Sequence, residues 1–568
     1  MKASETTLRN LLEGGKQFQI PLFQRPYSWK QENWKTLWED LMSLYNDEVQ
    51  GSYFLGPIVT QAELGTADGI TPYVVIDGQQ RLTTLSILLA ALRNHLKKDD
   101  KQMSEQIYEF YLINKYHKND DYFKVLPTQN DRDAYKNIVE AKTAKTAKTK
   151  NPESQLGQIN EAYNFFDKRL KESVPEQDIP LDLTKLKKII LEQLVIVNIT
   201  SDANDNPYLI FESLNNKGEE LTQVDLVRNY IFMRLPHEER EDVYKNEWLP
   251  FVESYKSSVS QKVYSDELTN AFWFYLRKDG EAVNQKEIYK NIKKRFDKSE
   301  TGVKSELQNL IQFAKYYQRL NFCEQEPEIK LRYCFQRLKR LDFTTCHIFL
   351  LNVYHEYEEE RLSLDKFEEI LRYLESYFVR RLFAGISTKT LGSVFNALYS
   401  EVQKVNPSDV VDGLQQVLKG YDKSKVWPDD DALRDGIITK VVYSTSSSDR
   451  AKLLLESLES SLTKEKVKSE SLTIEHIMPQ TLNKEWKTML GGNYASVQKK
   501  WLHTLGNLTL TGYNSEMGNK PFSEKLVYFN TSNLSLNHYL RQINVWNEEA
   551  IKKRAEYLAD IAIKVWPR

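Results

Sequence analysis

The sequence has little cysteine and little net charge, and the shortage of cysteine is the more informative of the two. Its 568 residues include only three cysteines, Cys323, Cys334 and Cys346, and no two of them form a CxxC pair. This spacing argues against a disulfide framework and for reduced thiols in a cytosolic protein. The formal net charge of -2 gives no support to nucleic-acid binding, but it does not exclude a local stripe of basic residues.

Long apolar runs are missing as well. No segment is apolar over the length that a bilayer requires, and no early apolar stretch follows a basic start, so we expect neither a membrane span nor a secretory signal. Apolar residues still make up 40% of the chain and aromatic residues 12%, which supports packed cores and argues against disorder. We therefore expect a soluble cytoplasmic protein of roughly two to four domains.

The spacing of apolar residues predicts an α+β chain that is predominantly α-helical. Residues 1–240 alternate strand-like and helix-like pieces and contain a charged helical insertion at about 95–190. Residues 241–430 repeat Tyr, Phe and Leu at three- and four-residue intervals, which predicts a helical connecting domain. Proline and acidic residues at 421–436 interrupt this pattern, so we place a third domain at 431–568.

A histidine at a strand end is the most informative chemical signal. The sequence TIEHIMPQ predicts a short strand that ends at His476. The sequence LGNLTLTGYNSEMGNK, about thirty residues later, predicts a strand, a turn and a helix. Because a neutral imidazole near pH 7 can take a proton from an attacking water, we interpret His476 as the general base of a phosphodiesterase. This layout is that of an HNH nuclease.

Oxygen donors beside this histidine suit a hard divalent cation such as Mg²⁺. Glu475 supplies a carboxylate next to the base, and Asn514 supplies an amide oxygen from the facing helix. We expect Asn507 to orient His476 through a side-chain hydrogen bond. We expect Lys520 to hold a flanking phosphate.

Simpler explanations compete with this one. A lone histidine on a strand is most often structural, and Asn and Gly together most often form a turn. Zinc is disfavoured because no cysteine lies in this part and because His503 and His538 lack a ligand spacing with His476. We interpret His503 as a supporting or structural residue. The complete string of His-Ile-x-Pro, Leu-Gly-Asn-Leu and the two later asparagines favours the nuclease.

These C-terminal residues resemble the HNH domain of GmrSD-type modification-dependent restriction enzymes, over about residues 440–560. The resemblance implies a ββα-metal fold with His476 as the base. It also implies Asn514 as the metal ligand carried by the helix, with Asn519 as the competing choice. The family often has Asp before the histidine, whereas this chain has Glu475, which is longer by one methylene.

A second motif, DGQQR, lies between a buried strand and the start of a helix. It comprises Asp77, Gly78, Gln79, Gln80 and Arg81. Free N–H groups and the helix dipole favour an anion at such a place, and an arginine there can grip a phosphate with two hydrogen bonds. Taken alone, the motif is also explained by Asp77 capping the helix, Gly78 forming the turn and Arg81 lying in solvent. The GxxxxGK[ST] spacing of a P-loop is absent.

Two further strings accompany the DGQQR motif. FQRPYSW places Arg25 beside Tyr27 and Trp29, a combination that suits phosphate and base contacts. Its alternative is an ordinary strand whose aromatic residues face the core. In isolation, IFESLNNKGEELTQVDLVRN predicts a capped pair of helices with a solvated charged face.

Together these three strings, over about residues 5–240, resemble the DGQQR-signature domain of GmrSD, BrxU and SspE proteins. The resemblance implies a ParB/sulfiredoxin-like fold that binds and hydrolyses a nucleoside triphosphate. The segment PTQNDRDAY, at residues 127–135, resembles a family segment that lines the pocket. The cofactor-binding residues that the resemblance implies are Asp77, Gly78, Gln79, Gln80, Arg81, Arg25, Tyr27, Asn215, Lys217 and Asp225.

The two resemblances imply a nucleotide-regulated, modification-dependent DNA endonuclease of antiphage defence that cuts or nicks DNA at a metal-dependent site. We expect modified phage DNA and a nucleoside triphosphate as partners, with Trp29 and Lys520 contacting nucleic acid. We expect no membrane partner, and a homo-oligomer stays open. One alternative is a nucleotide-regulated DNA-binding sensor with an inactive nuclease. The other is an RNA-cleaving defence effector, because the HNH fold alone does not separate DNA from RNA.

Overall fold

The computed structural model describes residues 2–63, 69–141, 157–172, 180–201, 222–258, 263–463 and 471–568. Over these ranges the chain is mostly helical with a small mixed sheet, which confirms the predicted α+β class. It forms two compact units, Met1–Val252 with Ile292–Leu307 and Glu253–Asn291 with Gln308–Arg568. The three-domain division and the ParB-like and HNH folds stay predictions.

The sheet of the first unit has the strand order β1-β6-β3-β4-β2-β5. Its strands are β1 (Lys2–Thr7), β2 (Lys16–Gln19), β3 (Tyr53–Ala62), β4 (Thr71–Asp77), β5 (Val125–Leu126) and β6 (Leu194–Ser201). The pairs β1–β6 and β3–β4 are antiparallel, and the pairs β3–β6, β2–β4 and β2–β5 are parallel. The β-branched residues of β4 and β6 suit the extended conformation.

The helices in this part of the chain include one that carries five leucines at intervals of three and four residues, a spacing that predicts an apolar stripe. In chain order they are α1 (Leu8–Leu12), α2 (Gln31–Tyr45), α3 (Gln79–Asp99), α4 (Lys101–Ile107), α5 (Gln129–Val139), α6 (Gly157–Arg169), α7 (Leu183–Lys188), α8 (Gln223–Arg234), α9 (His237–Val243) and α10 (Leu249–Ser258). On α3, Leu82, Leu85, Leu89, Leu92 and Leu96 are all buried as expected, and burial extends around the helix to every residue of 82–93. Repetition at three and four residues aligns them on one helix face.

The two faces of the sheet pack against different partners. Ile58 and Val75 belong to the large core that includes the leucines of α3. Val59 and Ile76, the next residue on each strand, belong to a second cluster against which Leu226 of α8 packs. Successive side chains of a strand point to opposite faces, so β4 is covered on both sides where it ends at the DGQQR motif.

The remainder of the chain is helical apart from one hairpin in the described ranges. Its helices are α11 (Tyr264–Arg277), α12 (Ile288–Lys298), α13 (Val303–Asn321), α14 (Ile329–Arg340), α15 (His347–Glu358), α16 (Leu364–Phe383), α17 (Leu391–Val405), α18 (Val410–Gly420), α19 (Asp430–Thr439), α20 (Ser448–Leu462), α21 (Lys484–Leu490), α22 (Tyr494–Trp501), α23 (Asn514–Met517), α24 (Phe522–Thr531), α25 (Ser535–His538) and α26 (Glu548–Val565). No helix that the structure describes has the length and apolar character needed to cross a membrane. The cysteines are free thiols.

The hairpin consists of β7 (Thr473–His476) and β8 (Leu508–Thr511), which run antiparallel with His476 opposite Leu508. A core of large apolar side chains accompanies it, including Trp486, Phe522 and Trp546. Each of these three rings is fully buried. Two short strands alone would be only marginally stable. This core therefore stabilises the hairpin.

Candidate active site

His476 lies at the end of β7 and is held by two aromatic neighbours. Its Nε2 is 3.0 Å from Nδ1 of His503. The ring of Tyr443 meets His476 edge-on at 4.8 Å and stacks on His503 at 5.5 Å. His476 is only 7% exposed. A second histidine therefore fixes the orientation of the imidazole. From the sequence, this residue is expected to have only a supporting or structural role.

Both imidazoles are neutral near pH 7. Burial lowers the pKa of His476 to about 4, with smaller contributions from His503 and Lys525. Burial also lowers the pKa of His503. A neutral ring carries one N–H and one lone pair, so one ring donates to the other across their contact. Within the described residues, Nδ1 of His476 makes no hydrogen bond, so this nitrogen is available to a water.

Glu475, the acidic residue of β7, is paired inside the protein. Its carboxylate accepts a hydrogen bond from Nζ of Lys525, which also donates to the carbonyl oxygen of His476. Both side chains are almost fully buried. Burial raises the pKa of Glu475 and lowers the pKa of Lys525. Because an ammonium group already occupies this carboxylate, Glu475 is poorly arranged to bind a cation.

Lys525 is a residue that the sequence argument missed, although a signal was present. It lies on α24, where the buried residues are Phe522, Lys525 and Phe529. This spacing is that of an apolar helix stripe, and a lysine on such a stripe is almost never fully buried unless it is paired. A lysine at a position of the helix that faces the core therefore predicts a buried carboxylate nearby.

Asn507 supports the site through the main chain. Its Oδ1 accepts hydrogen bonds from the N–H of Met478 and from Nε1 of Trp546, at 2.8 and 3.0 Å. Its Nδ2 donates to the carbonyl oxygens of Met478 and Leu502. The amide is thus engaged with the chain that follows β7. The ring of His476 has His503 as its hydrogen-bonding partner instead of the expected Asn507.

The glycine before Asn507 allows a close helix contact. A Cβ atom on Gly506 would lie 2.6 Å from the carbonyl oxygen of Ile551 on α26. Arg554 of the same helix, which is fully buried, donates to the carbonyl oxygens of Leu505, Gly506 and Leu508. The Leu-Gly-Asn string is therefore accounted for by packing and by main-chain hydrogen bonds.

The remaining predicted residues lie on the exposed side of this region. Asn514 begins α23 and donates from Nδ2 to the carbonyl oxygen of Ile474, two residues before the histidine, at 3.0 Å. Asn519 is exposed. Lys520 donates to the hydroxyl of Tyr528, and its Nζ lies 5.1 Å from that ring. The structure thus brings Asn514 to the same hairpin as the histidine.

The donor set does not form a closed metal site. The residues that the structure describes contain no cluster of three or more His, Cys, Asp or Glu side chains that could hold a metal ion. Asn514 retains its amide oxygen, whereas Glu475 is paired with Lys525. These residues fit only a cation that completes its coordination with waters and substrate oxygens, as Mg²⁺ commonly does.

In the first unit, the DGQQR motif forms the turn from β4 into α3. Gly78 has φ +89°, and a Cβ there would lie 3.0 Å from the carbonyl oxygen of Pro57, so glycine is required. No side chain caps the start of α3. Asp77 instead pairs with Arg81 at 3.2 Å. The guanidinium lies against Gly56, where a Cβ would approach it to 2.2 Å.

Gln80 connects this turn to the FQRPYSW segment. It is buried, and its Oε1 accepts hydrogen bonds from the N–H groups of Ser28 and Trp29. Its Nε2 donates to the carbonyl oxygen of Pro26. Gln79 is half-buried. One glutamine of the motif therefore fixes the neighbouring backbone, and Trp29 is held through its main chain while its ring packs against the core.

Tyr27 connects the FQRPYSW segment to the PTQNDRDAY segment. Its hydroxyl is hydrogen-bonded to Thr84 at 2.6 Å and to Nε1 of Trp34 at 2.8 Å. Its N–H donates to the carboxylate of Asp131, which lies in PTQNDRDAY. Burial raises the pKa of Asp131. The tyrosine predicted to bind a cofactor is therefore buried, and Arg25 beside it is half-buried.

The last predicted motif is described only in part. Asp225, on α8, pairs with Arg228 at 2.8 Å and accepts a hydrogen bond from the hydroxyl of Thr222. Asn215 and Lys217 lie outside the described residues. The structure therefore brings three of the four N-terminal strings together, and Leu226 of the fourth packs against Val59 and Ile76 beside them.

Comparisons with known proteins agree with this division into two motif-bearing regions. Residues 8–232 match a family model described as GmrSD restriction endonuclease, N-terminal domain. Residues 427–561 match a model described as GmrSD restriction endonucleases, C-terminal domain. The class of protein is thus a restriction endonuclease. The two matches together span more than half of the chain, which belongs to the GmrSD restriction endonuclease family. No curated protein matches it.

Proposed function

We propose that this chain is a modification-dependent DNA endonuclease of antiphage defence and that His476 is its general base. The observation that best supports this role is the 3.0 Å contact between His476 and His503. It engages Nε2 and leaves Nδ1 to take the proton from a water that attacks phosphorus. The negative charge of a bound phosphate would favour the imidazolium form and oppose the effect of burial on its pKa.

We propose further that a divalent cation, such as Mg²⁺, joins the site together with the substrate. Bound there, it would neutralise phosphate charge. Asn514 would hold it through its amide oxygen, with Asn519 as the alternative, while Glu475 stays paired with Lys525. Lys520 would contact a flanking phosphate, because its ammonium lies beside the ring of Tyr528, which packs against Tyr513 at the start of α23.

For the first unit we propose binding and hydrolysis of a nucleoside triphosphate that regulates cleavage. Support comes from the uncapped start of α3, a helix of 21 residues, beside the guanidinium of Arg81. Free N–H groups at a helix start and an arginine fork together suit a phosphate. Gln80 and Tyr27 would act by shaping the pocket, since both are engaged within the protein.

A cleavage assay on His476→Ala tests the proposed base. We expect cleavage of DNA with glucosylated hydroxymethylcytosine to fall roughly 100- to 10,000-fold, with DNA binding retained. His538→Ala is the matched control, because His538 is exposed and lies in the same region of the chain. Cutting by His476→Ala at the rate of the control would reject the base. Parallel assays with unmodified DNA and RNA separate the proposed substrate from an RNA-cleaving activity.

A further inference from the structure

A cavity of about 520 Å³ lies in the second unit and is rich in basic side chains. Arg381, Lys440 and Arg450 line it, together with the single carboxylate of Asp342. Its volume falls within the range of small-molecule sites. Three cations against one anion leave an excess of positive charge, which attracts an anionic ligand. Neither the proposed base nor the proposed nucleotide site uses these side chains.

Two of the three cations have no hydrogen-bonding or ion-pair partner among the residues that the structure describes. Within the described part of the chain, the Lys440 and Arg450 side chains make no hydrogen bond or ion pair, and both are half-buried. The ammonium of Lys440 lies against Gly385, where a Cβ would be 3.2 Å from Nζ. By contrast, neighbouring Asp449 on α20 is paired with Arg340 at 3.0 Å. Within the described residues, the cavity therefore holds two cations that form no ion pair.

The third cation builds the cavity wall. Arg381 is buried and donates to the carbonyl oxygens of Val426 and Ser387 at 3.1 and 2.9 Å. Its guanidinium lies 5.1 Å from the ring of Tyr377. It thus holds the loop at Ser387 in place, while Lys440 and Arg450 remain available to a ligand.

Neutral donors complete the lining. Thr344 belongs to the turn that leads into α15, and Thr388 belongs to the turn that leads into α17. Hydroxyl groups of such residues donate hydrogen bonds to phosphate oxygens. Cations and neutral donors on one concave surface match the oxygens of a phosphate group.

We propose that this cavity binds a phosphate group, carried either by a free nucleotide or by a nucleic-acid strand, through Lys440 and Arg450. Arg381 acts as a positioning residue that shapes the wall. Most of the lining, from Leu341 to Leu391, lies between the segments matched by the two family models. The inference does not depend on the nuclease role of His476, because it rests on a different set of side chains.

Calorimetric titration of the full chain tests this site. The probes are pyrophosphate, a non-hydrolysable ATP analogue and a short DNA duplex, all measured in an Arg81→Ala background that weakens the proposed N-terminal site. The test variant is Lys440→Ala with Arg450→Ala. The control is Lys389→Ala with Lys452→Ala, which removes the same charge from the neighbouring turn and from α20 but not from the cavity.

We expect the test variant to bind its phosphate probe roughly tenfold more weakly, or worse, than the control. A loss for pyrophosphate and the ATP analogue identifies a free nucleotide as the ligand, and a loss confined to the duplex identifies a nucleic-acid strand. Equal affinity of the test and control variants for all three probes would overturn the site. Unchanged binding in His476→Ala, with cleavage lost, separates this outcome from failure of the proposed nuclease.

Discussion

His503 contributes to the proposed site through a contact that its spacing from His476 along the chain does not reveal. It lies 27 residues after His476 in sequence, and its Nδ1 meets Nε2 of that residue. The contact fixes the ring and decides which nitrogen faces outward. Tyr443 packs against both rings and restricts their movement. His503 is thus a positioning residue in the proposed site.

Removal of this contact is expected to impair turnover more than binding. For His503→Ala we expect kcat to fall roughly 10- to 100-fold with little change in KM, because the base loses its orientation. For His503→Asn we expect partial recovery, since the amide oxygen can accept a hydrogen bond from the Nε2–H of His476. Steady-state cleavage kinetics measure both values. Wild-type kcat in the alanine variant would show that the contact has no role in catalysis.

Lys525 and Glu475 show that burial changes the role that a charged side chain can play. A carboxylate beside a histidine suggests a metal ligand when only the sequence is known. In the folded chain the same carboxylate is enclosed with an ammonium group. Leaving either charge alone in the interior would be costly, so the pair is expected to stay intact when a cation binds nearby.

The position of the proposed base depends on the hairpin of β7 and β8 and on α26, the helix that contacts its turn. The turn before β8 contacts α26 through Gly506, and Arg554 of that helix binds three carbonyl oxygens of the turn. Asn507 then connects the turn to the chain after β7. The position of β7 is therefore set by α26 through the turn.

A methyl group at this turn is expected to disturb the whole element. Gly506→Ala would place a Cβ 2.6 Å from the backbone of α26, and we expect a loss of about 1 to 3 kcal/mol in the free energy of unfolding. Gly512→Ala is the control, because a Cβ there meets no atom within 4 Å. Urea unfolding of both variants measures the difference. Equal stability of the two would show that α26 can move without cost.

At the scale of the whole molecule, buried histidines link stability to pH. His347 is 7% exposed, and its Nδ1 is buried without a hydrogen bond in the described structure. Burial, assisted by the charge of Lys339, lowers its pKa to about 4 from an ordinary value of 6.5. The unfolded chain therefore binds a proton below pH 6.5 that the folded chain refuses until near pH 4.

This difference predicts a loss of stability on acidification. As pH falls from 6.5 towards 4, His347 is expected to remove up to roughly 3 kcal/mol from the free energy of unfolding, and it removes nothing above pH 6.5. His347→Phe should lack this contribution, and its ring suits the neighbouring Phe274 and Tyr317. Unfolding curves at pH 7 and pH 5 test this. Identical pH slopes for both proteins would contradict it.

The sequence by itself determined the local features of this protein. Gly78 after a run of β-branched residues predicts the strand, turn and helix that the structure contains. Leucines at three and four residues predict the buried face of α3. The string ending at His476 predicts a strand end. These features follow from conformational preferences within a few residues, which a single chain segment carries in itself.

Only the tertiary structure decided which side chains meet. The pairing of His476 with His503, the enclosure of Glu475 by Lys525 and the grouping of three basic side chains around one cavity all join distant segments. Periodicity shows which residues share a face of one element, but not which element that face will contact. Burial then sets the charge state of each group, because desolvation depends on everything packed around it.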